Sequence, residues 1–143
     1  MLRAFLAIAS WVLWTAPALP IEPDAADARA ALAFVTVAGA PGDGEQALAE
    51  ALSRQLAARG VGEATAFQAN VYEVQGRVRM APVGKGKERV TIVWVVLGPE
   101  GTQLGVTRQK KDVRKGSLDR KWGAAANAAA AAAAVDIVKL IQR

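Results

Sequence analysis

Val90-Thr91-Ile92-Val93-Trp94-Val95-Val96-Leu97 is apolar at nearly every position and rich in β-branched side chains. Such a run, apolar on both sides, predicts the most central strand of its sheet. Upstream, Val71 to Met80 (VYEVQGRVRM) alternates: Tyr72, Val74, Gly76, Val78 and Met80 fall on one side, Glu73, Gln75, Arg77 and Arg79 on the other. That period of two predicts a strand with one packed and one wet face. Pro82 to Lys87 (PVGKGK) reads as a flexible hairpin loop between the two. Downstream, Gly98-Pro99-Glu100-Gly101 suits a type I turn, so Thr102 to Gln109 returns as the third strand of an antiparallel meander. Lys110 to Lys115 (KKDVRK) is expected to leave the sheet and lead to a last helix.

That helix, capped by Ser117 or Asp119, is predicted to run to about Gln142. Ala126, Ala130, Ala133, Ala134, Ile137, Leu140 and Ile141 lie on one side of it, and the seven alanines from Ala128 to Ala134 favour close packing. Asn127, Asp136 and Lys139 argue against a membrane span, because each is costly in lipid. Trp122 is expected to cover one end of the core. On the amino-terminal side, Ala33 to Val37 (AFVTV) predicts a buried strand followed by the loop Gly39-Ala40-Pro41-Gly42-Asp43-Gly44. A helix follows, with Asp43 and Gln46 as a capping box, Leu48, Leu52 and Leu56 facing the sheet, and Gly60 as its stop. A connection through Val61 and Phe67 leads to the meander. The order β-α-β-β-β-α predicts an α+β two-layer sandwich, a mostly antiparallel four-stranded sheet with two helices on one face.

Taken together, Ala33 to Val37, the Gly-rich loop, the leucine helix ending in Ala58-Arg59-Gly60-Val61, Val74-Gln75-Gly76-Arg77-Val78, Val93-Trp94-Val95-Val96 and Gly98-Pro99-Glu100-Gly101 form a pattern that resembles the amino-terminal domain of TolB. It is also similar to the small envelope domains of curli-secretion and penicillin-binding-protein-activator lipoproteins. The resemblance runs roughly from Ala31 to Ile141 and implies a non-enzymatic adaptor in the periplasm or at the outer membrane. The chain departs from TolB in lacking a propeller and from the lipoproteins in lacking their anchor Cys.

The first residues read as an address. Arg3 precedes the apolar run Ala4 to Trp14 (AFLAIASWVLW), and Ala16-Pro17-Ala18 offers small residues for cleavage after Ala18. The run is shorter than the roughly 20 residues of a transmembrane helix. The expected organisation is a signal peptide over residues 1–18, a flexible linker over 19–30 and a single domain over 31–143, with no transmembrane anchor after cleavage and a periplasmic or secreted location.

The 143 residues include no His and no Cys. This excludes Ser-His-Asp and Cys-His catalysis, haem ligation, disulfides and the usual structural zinc sites. No catalytic residue, metal ligand or cofactor is expected. A carboxylate pair for glycoside cleavage needs two acids across a cleft; Glu73 beside Glu88 or Glu100 is the nearest approach to one, and these acids read more simply as partners of Arg77, Arg89 or Arg108. The glycine loop has GxxGxG spacing with no following Lys, and Asp43 and Glu45 stand where a phosphate would bind, so it reads as a turn.

Charge is the remaining signal. Residues 19–75 carry three basic and eight acidic side chains, whereas residues 76–121 carry twelve basic and four acidic. Arg77, Arg79, Lys85, Lys87, Arg89, Arg108, Lys110, Lys111, Arg114 and Lys115 are the candidate binding residues for an anionic partner, held by summed field rather than one contact. The competing reading is solubility and protection of sheet edges by Lys and Arg. Too few exposed aromatics accompany these cations for single-stranded nucleic acid. An envelope protein engaged through a sheet edge and the basic surface is the first expectation, an anionic envelope polymer such as lipopolysaccharide or peptidoglycan the alternative. No feature specifies the oligomeric state.

Overall fold

The computed structural model describes residues 31–65 and 70–143; the expected signal peptide, the linker and Phe67 lie outside the described residues. The fold is α+β. Its elements are β1 (Leu32–Ala38), α1 (Gly44–Ala57), β2 (Gly62–Glu63), β3 (Val71–Gly84), β4 (Lys87–Leu97), β5 (Gln103–Arg114) and α2 (Gly123–Ile141). They form one five-stranded sheet in the order β2-β1-β3-β4-β5.

The expected meander is present: β3, β4 and β5 pair antiparallel, with Gly76 opposite Trp94 and Trp94 opposite Thr107. The sheet as a whole is mixed and has five strands where four were expected: most of its pairing is antiparallel, and the parallel part lies at β1. β1 is parallel to β3 because α1 carries the chain back to the starting end between them. The two-residue β2, expected only as connection, adds a short parallel edge beside β1. The strands of the hairpin are longer than their apolar runs. β3 continues to Gly84 and β4 starts at Lys87, so Lys85-Gly86, at φ 54° and 70°, is a tight two-residue turn of the kind hairpin twist favours, not a flexible loop. Likewise β5 includes Lys110 to Arg114, which were expected to leave the sheet. Backbone pairing to β4 holds these polar residues in a strand that hydrophobic periodicity alone does not reveal.

One face of the sheet makes the core. Ala33, Val74, Val78, Val90, Ile92, Trp94 and Val96 form a continuous buried cluster with Leu48, Leu52 and Leu56 of α1 and with Ala126, Ala130, Ala133, Ala134, Ile137 and Ile141 of α2. Both helices thus cover the same face. α1 ends in a Schellman motif: the Val61 amide donates to the Leu56 carbonyl at 2.9 Å and the Gly60 amide to the Ala57 carbonyl at 3.1 Å. Gly60, at φ 88°, supplies the left-handed turn, and Val61 buries against the core.

The helix starts differ from expectation. Asp43 makes no side-chain cap to α1; its Oδ1 accepts from the Trp122 amide at 2.8 Å, and Gln46 donates to Glu50 at 2.9 Å. Neither Ser117 nor Asp119 caps α2, which begins after Trp122 without a side-chain cap. The residues between β5 and α2 fold back on the loop before α1, so the capping oxygen of Asp43 serves that junction. Trp122 closes the end of the core as expected, 3% exposed, its indole Nε1 donating to the Pro41 carbonyl at 2.9 Å.

Candidate anion-binding face of the sheet

Among the described residues, no helix lies over the other sheet face. β4 is not the central strand, since β3 occupies the middle of the order. Its apolar outward side is explained by its flanks. Directly opposed residues share a face, so Arg77, Val93 and Arg108 form one row across β3, β4 and β5, and Arg79, Thr91 and Lys110 form the next. Thr91, Val93 and Val95 are half-buried although no second layer of described residues stands over them. The long side chains on the neighbouring strands border the same shallow concavity of about 840 Å³, with Gln75 and Thr36 at its other side. Lysine and arginine stems cover apolar surface in this way while their charges stay in water.

Arg77, Arg79, Arg108 and Lys110 are exposed. At ordinary strand spacing, Arg77 and Arg108 stand roughly 10 Å apart across β4, and Arg77 and Arg79 roughly 7 Å apart along β3. Among the described residues none of the four makes an ion pair; the pair present there is Arg89 with Asp112, at 2.8 Å from Nε to Oδ1. A second bond of 3.2 Å makes that contact bidentate. The hydrogen bonds from Arg89 hold the Asp112 carboxyl below the usual carboxylate range, and Asp112 in turn raises Arg89.

The ten candidate cations therefore divide. Arg77, Arg79, Arg108 and Lys110 gather around Thr91 and Val93. Arg89 shares the face but is neutralised by Asp112. Lys87 and Arg114 oppose one another farther along. Lys85 occupies the hairpin tip, and Lys115 follows β5, its amide donating to the Gly86 carbonyl at 2.9 Å. Lys111 pairs with Val90, whose side chain belongs to the core, so it lies on the helix side of the sheet. A single surface of all ten does not form, because alternation along β5 sends Lys110 and Lys111 to opposite faces. The floor residues Thr91 and Val93 were missed as site residues. Their signal is in the sequence, where β4 is apolar on both sides, but that pattern points equally to the most central strand of a sheet.

The glycine loop is filled by protein. The amides of Gly39, Asp43 and Gly44 donate to Glu45 Oε1, the Arg120 carbonyl and the Pro41 carbonyl, which leaves them engaged before any phosphate arrives. Glu73 and Glu88 do not converge as a pair either. Glu73 is opposite Leu97 and Glu88 opposite Pro82, nine residues apart along the ladder, or roughly 30 Å. Glu73 accepts from Gln75 and Glu88 from the Gly116 amide.

No family model matches the chain, and no curated protein matches it. Solved structures do resemble it. A PelC dodecamer from Paraburkholderia phytofirmans in space group P6 matches with a TM-score of 0.50 and 16% identity, over 79% of this chain and 87% of that one. A variant PelC dodecamer from the same organism in space group C2 matches with the same TM-score and identity, over 77% and 87%. A crystal structure titled only as an uncharacterized protein matches with a TM-score of 0.53 and 12% identity, over 78% and 92%. At such identities the likeness shows a shared fold and nothing finer; the neighbours named are PelC and this uncharacterized protein.

Proposed function

We propose that this chain is a non-enzymatic binding module of the bacterial cell envelope, exported by a cleaved signal peptide, that engages an anionic partner through the open face of its sheet. The observation that carries this reading is the set Arg77, Arg79, Arg108 and Lys110, brought together around Thr91 and Val93 without a described acid to neutralise them. Uncompensated cations on a concave surface attract an anion by their combined potential. The outer side of β5, a 12-residue strand at the edge of the sheet among the described residues, adds backbone donors and acceptors next to the cations. A protein partner bearing acidic side chains fits both features, and the TolB-type resemblance agrees with an adaptor role. The alternative occupant is an anionic envelope polymer, lipopolysaccharide or peptidoglycan.

A second reading is that copies of this chain assemble with one another, favoured by the likeness to PelC, whose crystals contain a dodecamer. Light scattering on the full chain over a concentration series separates a monomer from a defined oligomer.

The test of the main reading is crosslinking in intact cells from a photoreactive residue at Thr91, together with co-sedimentation of the purified chain with lipopolysaccharide and with peptidoglycan. A captured protein supports the adaptor, and salt-sensitive retention on a polymer supports the alternative. No capture, with equal low-salt retention of wild type and an Arg77→Glu/Arg108→Glu variant, removes both.

A further inference from the structure

The flank of α2 that meets β5 changes along its length. Near the carboxyl end it is closed: Leu140 sits over Gly105, where a Cβ would come within 2.7 Å of the leucine Cδ2, and Thr107 donates to Asp136 at 3.3 Å. Midway, Gln109 Nε2 donates to the Ala129 carbonyl at 2.9 Å while its Oε1 accepts from Trp94 Nε1 at 3.3 Å. Toward the amino end of α2 only alanine methyls border the strand. They are too short to reach it, and an apolar groove of about 380 Å³ remains between Val90, Ile92 and Val113 on one side and Ala125, Ala128 and Ala132 on the other. Leu118 and Trp122 close one end, and Lys111 stands on the rim.

We propose that this groove binds a single-chain anionic amphiphile, with the alkyl chain along the alanine wall and the carboxylate at Lys111. The interior offers a ligand little that is polar: the Gln109 amide already gives one N–H to the Ala129 carbonyl and accepts from Trp94, and the Trp122 indole donates to the Pro41 carbonyl. Burial of methylenes is the attraction left. The wall from Ala125 to Ala132 is about 10 Å long, the reach of a medium-chain alkyl group. The volume lies at the small end of the range for ligand sites, roughly 300 to 1,000 Å³, which suits one chain and not two. Lys111 makes no ion pair among the described residues, so the charge at the rim complements an anionic head.

Isothermal titration of the full chain with decanoate, kept below its aggregation concentration, tests the site. Saturable one-to-one binding is expected. Leucine at the wall, as Ala128→Leu/Ala132→Leu, weakens it about tenfold or more by occupying the groove; both positions are exposed, and an unchanged melting temperature verifies the fold. Lys111→Ser weakens it about threefold, as expected of one solvent-exposed charge contact. Decyltrimethylammonium binds more weakly than decanoate, and the Arg77→Glu/Arg108→Glu variant retains decanoate affinity, which separates this groove from the open face. Absence of saturable binding, equal affinity in the folded leucine variant, or indifference to both the Lys111 change and the sign of the head group overturns the proposal. Should the leucine variant fail to fold, the Lys111 and head-group comparisons decide.

Discussion

Gly76 in β3 lies opposite Trp94 in β4, and a methyl group on residue 76 would come within 2.5 Å of the indole Cζ3. Trp94 is fully buried, so the glycine is the space its ring occupies. Gly76→Ala is expected to lower unfolding stability by about 1 to 3 kcal/mol, the cost of overpacking a dense core, measured as a drop in urea midpoint at constant slope. Combining it with Trp94→Leu should give less than the sum of the single losses. Strict additivity would show that the ring and the glycine do not interact.

Asp43 joins the loop before α1 to the start of α2 through its hydrogen bond to the Trp122 amide. Asp43→Ala leaves that part-buried donor without its partner and should cost about 1 to 3 kcal/mol. Asp43→Asn keeps an oxygen acceptor in the same place and should retain most of the stability. Thermal melts compare the three proteins; equal losses for Ala and Asn would contradict this role.

The Arg89 and Asp112 pair gives a pH dependence with a definite sign. The folded-state pKa of Asp112 is depressed by Arg89, so its contribution is fully present above the ordinary carboxylate value, about 3.9, and is lost as pH falls through the lower folded value. The stability difference between wild type and Asp112→Asn should therefore shrink on acidification below about pH 4. Because the pair is exposed, added salt should shrink it at neutral pH as well. A difference that grows in acid would reverse the assignment.

The open face predicts a position effect at equal charge. Arg77→Glu/Arg108→Glu and Lys85→Glu/Lys115→Glu alter net charge identically, yet only the first pair flanks the Thr91 and Val93 floor. At low salt the first variant should lose on the order of tenfold in retention on an anionic partner, and the second much less, because the local potential and not the total governs a concave site. Equal losses measured by co-sedimentation would mean that only overall charge matters.

Much of the architecture was legible because burial imposes a period. Leu48, Leu52 and Leu56 repeat as a helix must, and Tyr72 to Met80 alternate as a half-buried strand must, so these elements and the packed face of each follow from spacing alone. The extensions of β3, β4 and β5 were not legible. Their residues, from Ala81 to Gly84, from Lys87 to Arg89 and from Lys110 to Arg114, are held by ladder hydrogen bonds to a partner strand, and backbone pairing leaves no mark on side-chain type.

By itself, then, the sequence determined the α+β class and every element but the short β2, the exclusion of His- and Cys-based chemistry, and the crowding of positive charge into residues 76–121, since these are matters of composition and local period. Tertiary structure alone decided that β1 joins the sheet in parallel, that the outward side of β4 is a floor and not a second core, and which cations share it. Register is the physical reason. A shift of one residue along β5 would exchange Lys110 with Lys111 between the faces, and register is chosen by packing across the whole sheet.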